Sequence, residues 1–245
     1  MFTICKKELG QFFSSLTGYL AIAVFLLLMG LFLFVFPEYS ILDYGFATMD
    51  KFFDLAPWLL LLLVPAVTMR SFTDEFKSGT WELLKTKPLT LSQIIGGKYF
   101  SAFIVSLLAL LLTLIYVFSI QQLMVKGNVD AQVDYGGIIG SYIGLLMTTA
   151  VFTAIGICCS TFTNNAVVSF LISAVVCFIM FSGFSKLSQI PSLKGHGDYF
   201  IGQIGLEAHY RSAGRGLIEL KDMVYFVLMA VVFLFFTRKT LANSK

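Results

Sequence analysis

The side chains in this chain that could do chemistry are few, and most fall in one short polar run. From Arg70 to Thr90 the sequence places Asp74, Glu75, Lys77, Glu82, Lys85 and Lys87 around Gly79-Thr80, a Leu83-Leu84 pair and Pro88, with long apolar segments on either side. The chemistry is that of docking, because no nucleophile stands beside a base. Arg70–Lys77 reads as a first helical stretch ending at Ser78-Gly79. Thr80 is placed to cap a second helix, Trp81–Thr86, with Glu82 in its positive first turn and Pro88 as its stop. Trp81, Leu83 and Leu84 give that helix an apolar face too small to be a core. Such a face is either a docking surface rimmed by charge or a helix resting on lipid headgroups, with Trp81 at their level.

Other chemistry finds little support. Gly97-Lys98 imitates a phosphate loop, but Ser92 stands where the first Gly belongs and Tyr99 where Ser or Thr belongs. Gly96, Gly97 and Lys98 read instead as the end of the polar segment. There is no Gly-x-Ser-x-Gly and no His-Glu-x-x-His. His196 and His209 have no partner at ligand spacing, so no metal is expected. Cys5, Cys158, Cys159 and Cys177 lie in or beside apolar runs and read as small buried hydrophobes. No cofactor is expected in this chain.

The elements that position these residues belong to the membrane. The 245 residues are 58% hydrophobic and 13% charged, whereas soluble domains carry roughly a quarter charged residues. A net charge of +3 is too small to point to nucleic acid. Six apolar segments approach the roughly 20 residues a spanning helix needs: about 18–36, 52–69, 99–121, 138–159, 166–184 and 220–238. The expected fold is all-α and polytopic, one transmembrane domain over 1–245 with a polar loop at 70–98 and a loop at 185–221. None of these spans carries Asp, Glu, Lys, Arg or His at mid-depth, which argues against coupling to an ion gradient.

Six spans put both termini on one side. Lys6, Lys7, Arg238, Lys239 and Lys245 join the five basic residues of Arg70–Lys98 there, ten against seven on the other face. Both termini and the polar loop are therefore expected in the cytoplasm, with Glu38–Lys51, Gln122–Gly137 and Ser185–Lys221 outside. Before the first span, Phe2, Cys5, Leu9, Phe12, Phe13 and Leu16 recur at helical spacing, reading as an amphipathic helix in the inner interface or a plain extension of the span. Gly136, Gly140, Gly144 and Thr148 form a small-residue stripe in the fourth span, with Gly156 on the same row, for internal packing or a subunit contact.

Thr68-Met69-Arg70-Ser71, Glu75, Gly79-Thr80, Glu82-Leu83-Leu84, Thr86, Pro88-Leu89-Thr90 and Gly97-Lys98, in that order, resemble the first cytoplasmic loop of ABC-2-type transporter permeases. The likeness is greatest to the permease subunit of the gliding-motility-associated ABC transporters of Bacteroidetes. His209-Tyr210, Arg215-Gly216, Asp222 and Tyr225-Phe226 resemble that family's outer segment, and Lys7-Glu8 and Phe13-Ser14-Ser15 its in-plane helix. Ser185–Gly205 matches no motif. The resemblance implies a bacterial inner-membrane export subunit that is not itself an enzyme. A separate ABC ATPase dimer would bind the ATP and Mg, and a second permease, identical or larger and different, would complete the unit. It also implies that Glu75, Gly79, Thr80, Trp81, Glu82, Leu83, Leu84, Thr86 and Pro88 form the ATPase-coupling helix, with Glu75 and Glu82 meeting basic residues of the ATPase. The alternative is a non-transporting anchor or assembly subunit of a surface complex.

Overall fold

The computed structural model describes residues 1–36, 49–126, 134–189, 202–214 and 219–243. Much of the three loops expected outside, including His196, Arg215 and Gly216, lies beyond these residues. Every regular element among the described residues is helical. Six helices are long and apolar enough to cross a membrane.

Helix α1 (Phe2–Ser14) ends at Ser15, whose extended backbone breaks the direction of the chain. Ser15 then caps α2 (Leu16–Phe34) by accepting from the Gly18 amide. A Cβ on Gly18 would lie 2.5 Å from the Phe12 carbonyl oxygen, so the α1–α2 corner closes only around glycine. The other face of α1 lies on α6 (Leu91–Leu112). There a Cβ on Gly97 would come within 2.8 Å of Ile4.

Helix α3 (Asp50–Thr68) carries Pro57 and Pro65 inside an apolar span. Pro57 has no N–H to give to the Phe53 carbonyl, four residues back. Tyr210 supplies the missing donor: its hydroxyl donates to that oxygen at 2.7 Å. Burial pushes the Tyr210 phenol above its ordinary pKa range, so it stays a neutral donor. A helix in lipid tolerates proline when a neighbour satisfies the freed carbonyl in this way.

After α3 come two short helices, α4 (Thr73–Lys77) and α5 (Thr80–Lys85). The expected helical run from Arg70 is interrupted, because residues 69–72 form a turn in which the Ser71 carbonyl points to Lys98 Nζ. The third span begins earlier than its apolar run. Thr90 and Gln93 form a reciprocal capping box that starts α6 at Leu91, so Gly96, Gly97 and Lys98 lie inside the helix. At Thr113 the span bends into α7 (Leu114–Lys126). The Thr113 hydroxyl donates to the Leu110 carbonyl and meets the Tyr142 hydroxyl at 3.1 Å.

Helix α8 (Tyr135–Cys159) runs through the middle of the bundle. Helix α9 (Ala166–Phe178) continues through a π-helical turn at Ile179–Gly183 into α10 (Phe184–Ser188), so the fifth apolar helix reaches 188. Helix α11 (Leu206–Gly214) packs on α8, and α12 (Leu220–Asn243) closes the bundle, five residues longer than its apolar stretch suggests. In α3 and α8, 67% and 72% of the most apolar stretch is buried, against 22% in α2 and in α12. The first two form the core; the others turn their apolar surface outward.

Close approach in the core depends on small residues. A Cβ on Gly156 would sit 2.0 Å from Thr68 Oγ1, so α3 and α8 touch there backbone to side chain. Of the predicted stripe, Gly144 faces Tyr210 and Ala213 of α11, Gly140 is buried, and the buried Thr148 returns its hydroxyl to the Gly144 carbonyl. A Cβ on Gly136 would meet only its own Asp134. At Gly144 the stripe serves internal packing, one of the two uses its spacing allowed.

Candidate functional site

The polar insert folds onto one end of the bundle as a small structure of its own. Helix α4 ends at Ser78, whose hydroxyl donates to the Asp74 carbonyl and lies 2.9 Å from Thr80 Oγ1. Gly79 then takes a left-handed conformation, φ 70°, which glycine adopts without strain. Gly79 occupies the cap position of α5 with no side-chain cap. Thr80, expected as the cap, is instead the first helical residue, because the tight reversal at Gly79 turns its hydroxyl toward Ser78.

Trp81 is buried, not presented to headgroups or partner as expected. Its ring meets Phe72 and Phe76 edge-on, each at 5.7 Å between centroids, in a second apolar cluster with Ile4, Ile94, Ile95, Ile157 and Leu241. Leu84 packs on the same cluster and is half-buried. What remains outward is narrow. Leu83 is 65% exposed, flanked by Glu82, Thr86 and Pro88, also exposed. Glu82 pairs with Lys85 at 3.3 Å, an exposed contact worth little.

Beneath α4 lies a charge cluster not foreseen from the sequence. Lys98 Nζ is 2.8 Å from Glu75 Oε1, 2.9 Å from Glu8 Oε1, and hydrogen-bonded to the Ser71 carbonyl. An ammonium has three donors, and these partners use all three. The Phe72 ring lies 5.0 Å from the same nitrogen. With 2% of its side chain exposed, Lys98 binds α1, α4 and α6 together. Glu75, expected to meet a basic residue of a partner, is turned inward. The signal in the sequence was a Lys following two glycines; the capping box that carries it into a helix gave the meaning.

A second polar knot sits at the opposite end, where α11 meets α12. His209 Nδ1 lies 2.7 Å from Asp222 Oδ1, and Nε2 lies 2.8 Å from the Gln203 carbonyl. That carbonyl can only accept, so Nε2 carries hydrogen. Tyr225 stacks on the imidazole at 4.0 Å and donates to the Ile204 carbonyl. His209 thus meets a carboxylate thirteen residues on, too distant for any helical spacing to disclose. Of the outer motif, the structure joins His209, Asp222 and Tyr225.

Six apolar helices, with a polar element anchored beneath one end and a short helix packed at the other, define a polytopic membrane domain. Residues 40–238 match the family described as ABC-2 family transporter protein, and the chain belongs to that family. It is a multi-pass membrane permease, and proteins of this family work with an ABC ATPase. No curated protein matches the chain closely enough to be a relative.

Proposed function

We propose that this chain is the permease subunit of an exporter driven by a separate ATPase, and that the ATPase docks on the outward face of α5. The observation that carries this reading is the two-faced anchoring of α5. Trp81 and Leu84 fix one side to the bundle, while Leu83, Thr86 and Pro88 remain outward. A helix that must pass force needs both properties: a stiff attachment to the spans and a free apolar contact for the partner. The buried Lys98 cluster supports the same reading, since it ties the insert to α1 and α6. ATP and Mg belong to the partner, and the insert faces the cytoplasm of a bacterial inner membrane.

The working unit pairs this chain with a second permease. The weakly buried α2, α9 and α12 leave apolar faces for lipid and for that partner. The order of motifs from Thr68 to Lys98 favours a gliding-motility type of system, with a different, larger second permease. The test is co-purification with an ATPase whose hydrolysis depends on this chain. Function that survives a mutation of the ATPase's phosphate-loop lysine would sink the exporter and leave a non-transporting assembly subunit.

A further inference from the structure

A cavity of about 500 Å³ opens between α2, α3 and α6, on the side where α1 crosses their ends. The volume falls within the roughly 300–1,000 Å³ of small-molecule sites. Its walls are graded. Leu20, Val24 and Leu28 of α2, Leu62 and Leu63 of α3, and Val105 of α6 line an apolar body, and Thr17, Arg70 and Asp74 line the mouth. From Thr17 to Leu28 the helix rises about 16 Å. That is about half of a hydrocarbon core of about 30 Å, so the apolar body is one leaflet deep.

The mouth carries one cation and one anion with no ion partner among the described residues. Arg70 is exposed and donates only to Thr17 Oγ1, at 3.3 Å. Asp74 lies four residues on, across the turn and in α4, also exposed, and the two do not pair. Glu8 and Glu75 are held by Lys98 and do not compete. A smaller polar hollow of about 120 Å³ continues from the mouth and shares Glu8, Gln11, Arg70, Ser71 and Asp74. An apolar body of one leaflet's depth beneath a dipolar mouth is the shape and charge of a phospholipid whose headgroup bears both signs.

We propose that this cavity binds an amine-bearing phospholipid from the leaflet that holds α1. An acyl chain lies between α2, α3 and α6. The phosphate meets the Arg70 guanidinium, whose planar fork suits two phosphate oxygens, and the ammonium meets Asp74. The site requires neither an ATPase nor transport, so it stands or falls apart from the exporter reading.

The experiment places the full chain in nanodiscs of equal parts phosphatidylethanolamine and phosphatidylglycerol with identical acyl chains. Native mass spectrometry after release into mild detergent counts the lipid retained. The expected result is an excess of the amine-bearing lipid of about tenfold, the discrimination that one hydrogen bond between charged groups supports. Asp74→Asn should bring the two lipids to near equality, and Arg70→Ala should lower retention of both. Val24→Trp fills the apolar body from a position already 45% exposed and should abolish retention. Leu20→Trp, on the same face and also exposed, repeats the block if the first variant folds poorly. Retention in the bulk ratio by the unaltered chain, or unchanged retention in both tryptophan variants, overturns the proposal. So does cross-linking of Val24→Cys to a second copy of the chain in membranes, which would make the occupant protein.

Discussion

Lys98 Nζ and Glu75 Oε1 lie 2.8 Å apart, 23 residues apart in sequence, with the lysine all but withdrawn from solvent. The pair joins the polar insert to the third span, and Glu8 extends it to the N-terminal helix. Removing one member of a buried ion cluster leaves the rest uncompensated, at a cost of about 3–5 kcal/mol. Lys98→Met should therefore lower the melting temperature of the detergent-solubilised chain and, by freeing the insert from α6, speed tryptic cleavage after the already exposed Lys77. Combining it with Glu8→Gln and Glu75→Gln should recover most of the loss. A triple variant no more stable than Lys98→Met would mean that the carboxylates do not depend on the lysine.

Leu83 and Trp81 are two residues apart on α5 but should respond in opposite ways. Leu83→Asp changes an exposed position, so its effect on stability should stay within about 0.5 kcal/mol. It should nonetheless abolish pull-down of the ATPase, since a docked face would then bury an unpaired charge. Trp81→Ala empties an aromatic cluster and should cost about 3–5 kcal/mol. Undiminished ATPase binding by Leu83→Asp would remove α5 as the docking site. Leu84 is a poor probe of docking because it packs inward.

The Tyr210 hydroxyl answers a carbonyl that Pro57 leaves open. Tyr210→Phe should cost about 1–3 kcal/mol, the penalty of a buried unsatisfied acceptor. Pro57→Ala restores an N–H to Phe53, so Tyr210→Phe should cost clearly less in that background. Thermal unfolding of the four proteins of this cycle gives the coupling directly; equal costs in both backgrounds would refute it.

Gly156 and Thr68 meet so closely that a methyl on the glycine would overlap the hydroxyl. Gly156→Ala should force α3 and α8 apart and destabilise by about 1–3 kcal/mol. Thr68→Ala, which removes the overlapping oxygen, should return part of that loss. The melting temperatures of the single and double variants check it.

Lys77 and Arg211 mark the two ends of the bundle, and both are exposed. Cysteines at these positions, in a background without the four native ones, should label from opposite sides of the membrane, with position 77 reached only from the cytoplasm. Labelling of both from outside would overturn the orientation taken from the basic residues.

How much of this was legible in the sequence can be read from particular residues. The six spans were, because an unbroken apolar run long enough to cross a bilayer has few other fates. The two-helix form of the insert also showed, since Gly79 and Pro88 are local punctuation that acts on nearest neighbours. Span ends were less legible. The Thr90–Gln93 box starts α6 eight residues before the apolar run at Tyr99, and hydrophobicity does not register a cap.

The pairings were decided only by the tertiary structure. Lys98 with Glu8 and Glu75, His209 with Asp222, and Tyr210 with Phe53 join residues 13 to 157 positions apart, and no local periodicity relates such distances. The sequence marked Glu75 and Trp81 as belonging to one polar helical insert; whether they face a partner or the bundle depended on what α6 and α1 brought beneath them. Composition sets which solvent a segment prefers, and that is a property of the segment alone. Which charge answers which is a property of the packed helices, because a buried ion is stable only where the fold delivers its counter-ion.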